Sequence, residues 1–253
     1  MDCYILCNLF FGAYAWLLTV WVYFLEAQCS FMISRKRLAE LIDHTDVRPT
    51  ATDADIRRLC DEAIKYGFRA ICVQPCFVKL ASRLLANDSR VKVCTVVGFP
   101  FGTNVTDVKV FEAKKAIDDG AEELDVVMNI SMVKSGNYAY VEEELNRLMD
   151  VAAGTVIKLI IETGYLTVEE MGKICDIAVR AGVDYVKTCT GFGPRGVSLE
   201  DVELIKKLTK GKVGIKASGG IRTYEQAISL INAGATILGT SHSLKVLEGA
   251  PLE

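Results

Sequence analysis

Two lysines and two aspartates interrupt apolar runs in this sequence. Lys187 stands in VDYVKTCTGFG, Lys216 in KVGIKASGGI, Asp125 in EELDVVMNI and Asp43 in LIDHTD. A charge buried alone among apolar groups is costly, but two ammonium groups and two carboxylates that converge can offset one another. A purely structural ion-pair network is one reading of such a set. The other is chemical. A lysine beside a second cation loses proton affinity, and a neutral amine attacks a carbonyl to give a carbinolamine and then a Schiff base. The protonated imine is an electron sink, so the neighbouring carbon can lose a proton to give an enamine. Asp125 and Lys216 suit the acid/base work of that step. With Lys187 as the amine, this is metal-independent aldol chemistry.

Small residues follow these motifs. Gly219 and Gly220 come directly after KAS, and Gly239, Thr240 and Ser241 close the last apolar run. Glycines let backbone N–H groups approach an anion, and a helix N-terminus beyond them favours negative charge. A phosphate-bearing substrate is the expected ligand. In VIKLIIET, residues two apart share a strand face, so Lys158, Ile160 and Glu162 point the same way. Lys158 lies deeper and reads as an ion-pair partner, while Glu162 is nearer the strand end and reads as an auxiliary acid. His44 and His242 have no third histidine or cysteine ligand beside them in the pattern, so neither a metal nor a cofactor is expected.

The elements that must position these groups follow from periodicity. From Leu38 onward, eight short apolar runs centre on Ile42, Cys72, Thr95, Asp125, Ile160, Lys187, Lys216 and Leu238, with amphipathic stretches between them. Thr52 caps one predicted helix, which Gly67 closes. Thr167 with Glu170, Ser198 with Asp201, and Thr223 with Gln226 have capping-box spacing, and Gly182 and Gly234 stand at helix ends. Repeated strand–helix units predict an α/β fold with a parallel sheet. The count of eight favours a single (β/α)8 TIM barrel over residues 34–253 rather than a doubly wound sheet. No Gly-x-Gly-x-x-Gly follows the first strand, which argues against dinucleotide binding. In such a barrel the site lies at the C-terminal strand ends, with phosphate held after strands seven and eight.

The chain has 253 residues and a net charge of −3, from 29 basic and 32 acidic side chains, with no long run of one sign. Nucleic-acid binding therefore has no electrostatic support. Nine cysteines include no CxxC pair, and buried reduced thiols in the cytoplasm are the expectation. Residues 1–33 form a hydrophobic N-terminal extension. Cys3 to Leu25 carries no charge and is long enough to span a membrane, with Arg35, Lys36 and Arg37 after it. A signal peptide fits less well, because the start carries Asp2 and no basic residue. Met32 also reads as a start of its own, so the extension is either an anchor or a misassigned beginning. Membrane contact is expected only in the first case.

Taken together, IDHT, AICVQP, TVVGFPFG, GAEELDVVMNI, IIET, DYVKTCTGF, VGIKASGGIRT and LGTS, in this order from about Leu38 to Leu247, resemble the deoxyribose-phosphate aldolases. The resemblance implies Lys187 as the Schiff-base lysine, Lys216 as the lysine that perturbs it and helps to shuttle protons, and Asp125 as a member of the proton relay. It implies phosphate contacts from Gly219, Gly220, Gly239 and Ser241, and pocket positions for Asp43 and Cys72. Thr190 and Gly191, in the loop after Lys187, join them as candidate substrate contacts. The implied reaction is reversible cleavage of 2-deoxy-D-ribose 5-phosphate to D-glyceraldehyde 3-phosphate and acetaldehyde, by a homo-oligomer, dimer or tetramer. Another aldolase of the same class acting on a different phosphorylated sugar is the nearest alternative, and a non-catalytic phosphosugar-binding barrel is a further one. Three positions depart from the family pattern: Cys189 where serine is usual, Asp46 and Val47 where an apolar pair is usual, and His242 where a small residue is common.

Overall fold

The computed structural model describes residues 33–152 and 154–252. The uncharged stretch at 3–25 lies outside the described residues. No helix among the described residues is long and apolar enough to cross a membrane.

Eight parallel strands close on themselves in sequence order: β1 (Ile42–Asp46), β2 (Ala70–Val73), β3 (Lys92–Val97), β4 (Glu123–Val127), β5 (Val156–Ile160), β6 (Tyr185–Lys187), β7 (Gly214–Ser218) and β8 (Ile237–Thr240). β8 pairs back onto β1, with Asp43 beside Gly239. The helices are α1 (Arg35–Ala39), α2 (Asp53–Tyr66), α3 (Val78–Leu85), α4 (Thr106–Asp118), α5 (Ile130–Lys134), α6 (Tyr138–Val151), α7 (Val168–Ala181), α8 (Leu199–Thr209), α9 (Tyr224–Ala233) and α10 (Ser243–Glu248). Each of the eight apolar runs anticipated from the sequence contains one strand, so the chain is a (β/α)8 barrel. The short helices α1 and α5 were not legible, because five residues carry too little periodicity.

Local signals account for the helix boundaries. The side chains of Thr52, Thr167, Ser198 and Thr223 each accept the backbone N–H three residues on. In every case Asp55, Glu170, Asp201 or Gln226 returns the bond as a capping box. Gly67 and Gly182 end α2 and α7 in the left-handed conformation that glycine adopts at little cost.

The strands divide their side chains between two environments. Outward residues such as Ile71, Leu124, Val126, Leu159 and Val186 are buried against the helices and form the main apolar core. Inward, the apolar content is small: Cys72, Cys94 and Val96 form a separate cluster. Charged side chains share that interior: Asp43, Glu123, Asp125, Lys158 and Lys216 are all buried. Alternation along each strand produces this division, and the charged face requires every member to find a partner.

Candidate active site

Asp125 is the hub. It is fully buried on β4, and its register partner on β5 is Lys158. Lys187 and Lys216 are register partners on β6 and β7. Both ammonium nitrogens lie 2.6 Å from the same carboxylate oxygen, Asp125 Oδ2. Lys158 Nζ approaches the other oxygen at 3.1 Å, and also reaches Glu123 at 2.6 Å and Asp43 at 3.2 Å. Lys216 makes a second ion pair with Asp43 at 2.6 Å. Below them Arg69 donates to Asp43 at 2.7 Å and to Glu123 at 2.5 Å.

Four cations (Arg69, Lys158, Lys187 and Lys216) thus face three carboxylates (Asp43, Glu123 and Asp125) in one connected network. Burial raises the pKa of Asp125, but Lys158, Lys187 and Lys216 outweigh it and hold the group well below the usual carboxylate range. Asp43 is likewise lowered, with burial overcome by Lys158, Lys216 and Arg69. Burial pulls Lys216 down, while Asp125 and Asp43 pull it further up, so it is held above the ordinary lysine value. The mutual depression expected of two neighbouring lysines therefore does not govern Lys216: the carboxylates around it win, and it keeps its charge.

Lys187 differs from the other two lysines in access. It is the last residue of β6, 4% exposed where Lys158 and Lys216 are 0%. It lines a cavity of about 260 Å³ at the C-terminal mouth, together with Thr190, Gly191, Gly219, Gly220, Gly239 and Ser241. Gly219 and Gly220 have φ of 99° and 82°, a conformation that glycine adopts without a Cβ penalty. Asp43 and Cys72 lie one layer lower: both are fully buried and neither lines the open mouth. Lys158 is deeper still in contact terms, ion-paired on three sides.

Several site residues had no clear sequence signal. Glu123 shares a strand face with Asp125, and that spacing of two could have found it. Arg69 precedes β2 at the closed end, where only tertiary contact reveals its role. Arg48 and Arg222 also border the cavity. Asp46, one of the departures from the family pattern, holds Arg48 by a two-point ion pair at 2.8 and 2.6 Å, which neutralises a carboxylate that would otherwise repel an anion. His242 joins the same rim.

Cys72, Cys94 and Asp125 bring three metal-capable atoms within 4.8 Å of one another. Cys94 Sγ, however, lies 3.2 Å from Asp125 Oδ1 and 3.3 Å from Lys158 Nζ. Three ammonium groups already occupy the carboxylate a cation would need, and burial pushes the Cys94 thiol well above its ordinary pKa. A divalent ion would have to displace them, so the donor set does not fit one.

The fold and this centre together define a (β/α)8 barrel with a buried lysine–carboxylate network that reaches, through Lys187, a glycine-lined cavity at its mouth. Residues 37–248 match the DeoC/LacD family of aldolases, and the chain belongs to that family. It is 52% identical to a deoxyribose-phosphate aldolase from Thermococcus gammatolerans over 84% of this chain and 96% of the relative. A deoxyribose-phosphate aldolase from Thermococcus kodakarensis is 51% identical over 87% of this chain and 100% of its own length. Among solved structures, a tetrameric deoxyribose phosphate aldolase from Aeropyrum pernix superposes with a TM-score of 0.80 at 38% identity, covering 85% of this chain and 91% of that one.

Proposed function

We propose that this chain catalyses the reversible cleavage of 2-deoxy-D-ribose 5-phosphate to D-glyceraldehyde 3-phosphate and acetaldehyde, through a Schiff base on Lys187. The observation that carries the reading is the charge imbalance of the network, four cations against three carboxylates. Lys187 is the least encumbered of the three lysines, with one carboxylate partner where Lys216 has two and Lys158 three. It is also the lysine that borders the cavity.

The neutral amine adds to the C1 aldehyde of the open-chain sugar, and loss of water gives the imine. Deprotonation of the C3 hydroxyl releases D-glyceraldehyde 3-phosphate and leaves an enamine on Lys187. Protonation of the enamine carbon and hydrolysis then free acetaldehyde and regenerate the amine. Asp125, whose Oδ2 lies 2.6 Å from Lys187 Nζ, and Lys216, whose Nζ lies 2.6 Å from the same oxygen, are the groups proposed to relay these protons. The glycines after β7 and β8, with Ser241, are proposed to hold the phosphate.

Trapping tests the assignment. Borohydride with acetaldehyde should add a two-carbon unit to Lys187, read by peptide mass, and borohydride alone should add nothing. If the Lys187→Arg variant is trapped to the same extent, Lys187 is not the amine. A panel of deoxyribose, ribose and other sugar phosphates separates this substrate from its neighbours.

Two further features belong to the proposal. The six free cysteines among the described residues, five of them buried, fit a reducing compartment, and the cytoplasm is the setting we propose. Self-association is favoured by Val105, Val108 and Phe111, exposed at spacings of three along the start of α4, with exposed Phe101 in the loop before it. Light scattering in solution reads the assembly directly.

A further inference from the structure

The chain leaves β5 through a residue that carries two unfavourable features at once. Glu162 has φ 49° and ψ 70°, the left-handed region, which is unfavourable for a residue with a Cβ. Its side chain is buried, and Oε1 is the one buried side-chain oxygen or nitrogen among the described residues that lacks a hydrogen-bond partner. A general packing role would be met more cheaply by an apolar side chain. Strain and desolvation kept together at a strand end beside a substrate cavity point to a task.

The other carboxylate oxygen identifies that task. Glu162 Oε2 accepts the backbone N–H of Thr190 at 2.9 Å and also the Thr190 hydroxyl. Thr190 Oγ1 in turn accepts the Phe192 N–H at 3.0 Å. The chain turns at Gly191, with φ of 89°, and passes over the carboxylate at Gly193, where an added Cβ would lie 2.5 Å from Oε1. The next residue along, Thr163, fastens the same segment. Its N–H donates to Thr188 O at 3.0 Å, and its hydroxyl donates to Asp201 at 2.9 Å. Asp201 is held by Arg195 through two contacts of 2.5 and 2.8 Å. The segment ends where Val197 N donates to Gly219 O at 3.0 Å. Residues 188–197 therefore run from the proposed Schiff-base lysine to the first glycine of the anion cradle, stapled midway to two consecutive residues of β5's exit.

We propose that Glu162 is a positioning residue. It holds Thr190 and Gly191 as the wall of the anion cavity, so that a phosphorylated substrate is bound in register with Lys187. This rests on reading the cavity as a phosphosugar site. Glutamate is required for its acceptor oxygen: one oxygen serves both Thr190 donors, and the left-handed backbone turns it toward them.

The test compares Glu162→Ala and Glu162→Gln with the unaltered enzyme on 2-deoxyribose 5-phosphate and on 2-deoxyribose, which lacks the phosphate. Glu162→Ala should raise KM for the phosphorylated sugar about tenfold or more. It should change kcat by much less and leave kcat/KM for the unphosphorylated sugar within about threefold. Glu162→Gln keeps a carbonyl oxygen for Thr190 and should restore most of the lost affinity. Binding of inorganic phosphate, measured by calorimetry, should weaken about tenfold in Glu162→Ala, and this arm does not depend on the aldolase reading. Gly193→Ala presses on the same carboxylate from the loop side and should give the same selective rise in KM, which keeps the test open if Glu162→Ala does not fold. Equal loss on both sugars, unchanged phosphate affinity, a wild-type KM in Gly193→Ala, or a glutamine variant no better than alanine would each overturn the assignment. Cleavage and trapping by the unaltered enzyme test the functional reading separately.

Discussion

Lys187 and Lys216 share one oxygen atom: both ammonium nitrogens lie 2.6 Å from Asp125 Oδ2. They come from adjacent strands at the same register position, so neither can move without altering the other's partner. Lys216 is enclosed and held protonated by Asp125 and Asp43, whereas Lys187 opens on the cavity. Two chemically identical side chains thereby stand in different environments, one enclosed and one at the cavity.

Asp125→Asn removes the anion that three lysines share. We expect a fall in kcat/KM of at least about a hundredfold, the scale on which a positioned acid or base acts. We also expect a loss of about 3–5 kcal/mol in urea unfolding, because buried ammonium groups are left without compensation. A variant of wild-type stability and activity would show that the network is ornamental to both.

Lys158→Met separates structure from chemistry. Lys158 contacts three carboxylates and is fully buried, so its loss should destabilise by a similar amount, about 3–5 kcal/mol. Combined with Asp125→Asn, the two effects should fall short of additivity by about 1 kcal/mol or more, since the residues share a contact. Simple addition of the two unfolding energies would contradict direct coupling.

Gly239 and Gly220 should answer differently to alanine. A Cβ at Gly239 would meet Lys216 Cε and Ser218 Cβ at 3.0 Å, whereas at Gly220 nothing lies closer than 3.9 Å and the obstacle is a φ of 82°. Gly239→Ala should therefore disturb Lys216 and lower kcat. Gly220→Ala should cost stability of about 1 kcal/mol and act mainly on KM. Steady-state kinetics of the two variants side by side decide the point.

Acid should unfold the protein through Asp43 and Asp125. Both are lowered below their ordinary value of 3.8 on folding. Each contributes stability that is fully present above that value and lost as pH falls toward its folded pKa. Lys216 is raised above 10.5, so its contribution is complete below that value and lost only in strong alkali. Urea midpoints should fall as pH drops from about 5 to about 3, and Asp43→Asn should fall less steeply. An equal slope in the variant would remove Asp43 from the account.

Much of the architecture is legible in the sequence. The apolar runs around Ile42, Cys72 and Leu238, and the caps at Thr52, Thr167, Ser198 and Thr223, are local signals, because helix ends and strand burial are decided by nearest neighbours along the chain. The exceptions, α1 and α5, are too short to carry a period. The members of the charged network were legible for a related reason. Lys187, Lys216 and Asp125 break apolar strands, and a charge in such a run demands a partner.

The sequence by itself determined which residues would need partners; it did not determine who the partners are. That Lys187 and Lys216 meet on one oxygen of Asp125, that Arg69 closes the network from below, and that Asp43 and Cys72 lie beneath the mouth depend on barrel closure and strand register. The left-handed turn of Glu162 toward Thr190 is of the same kind. The ion pairs of this network join residues from 26 positions apart (Arg69 and Asp43) to 173 apart (Lys216 and Asp43), and only the closed sheet brings them within reach. The order of apolar and charged residues is therefore a local property of this chain, whereas the different surroundings of its two lysines are a property of the fold.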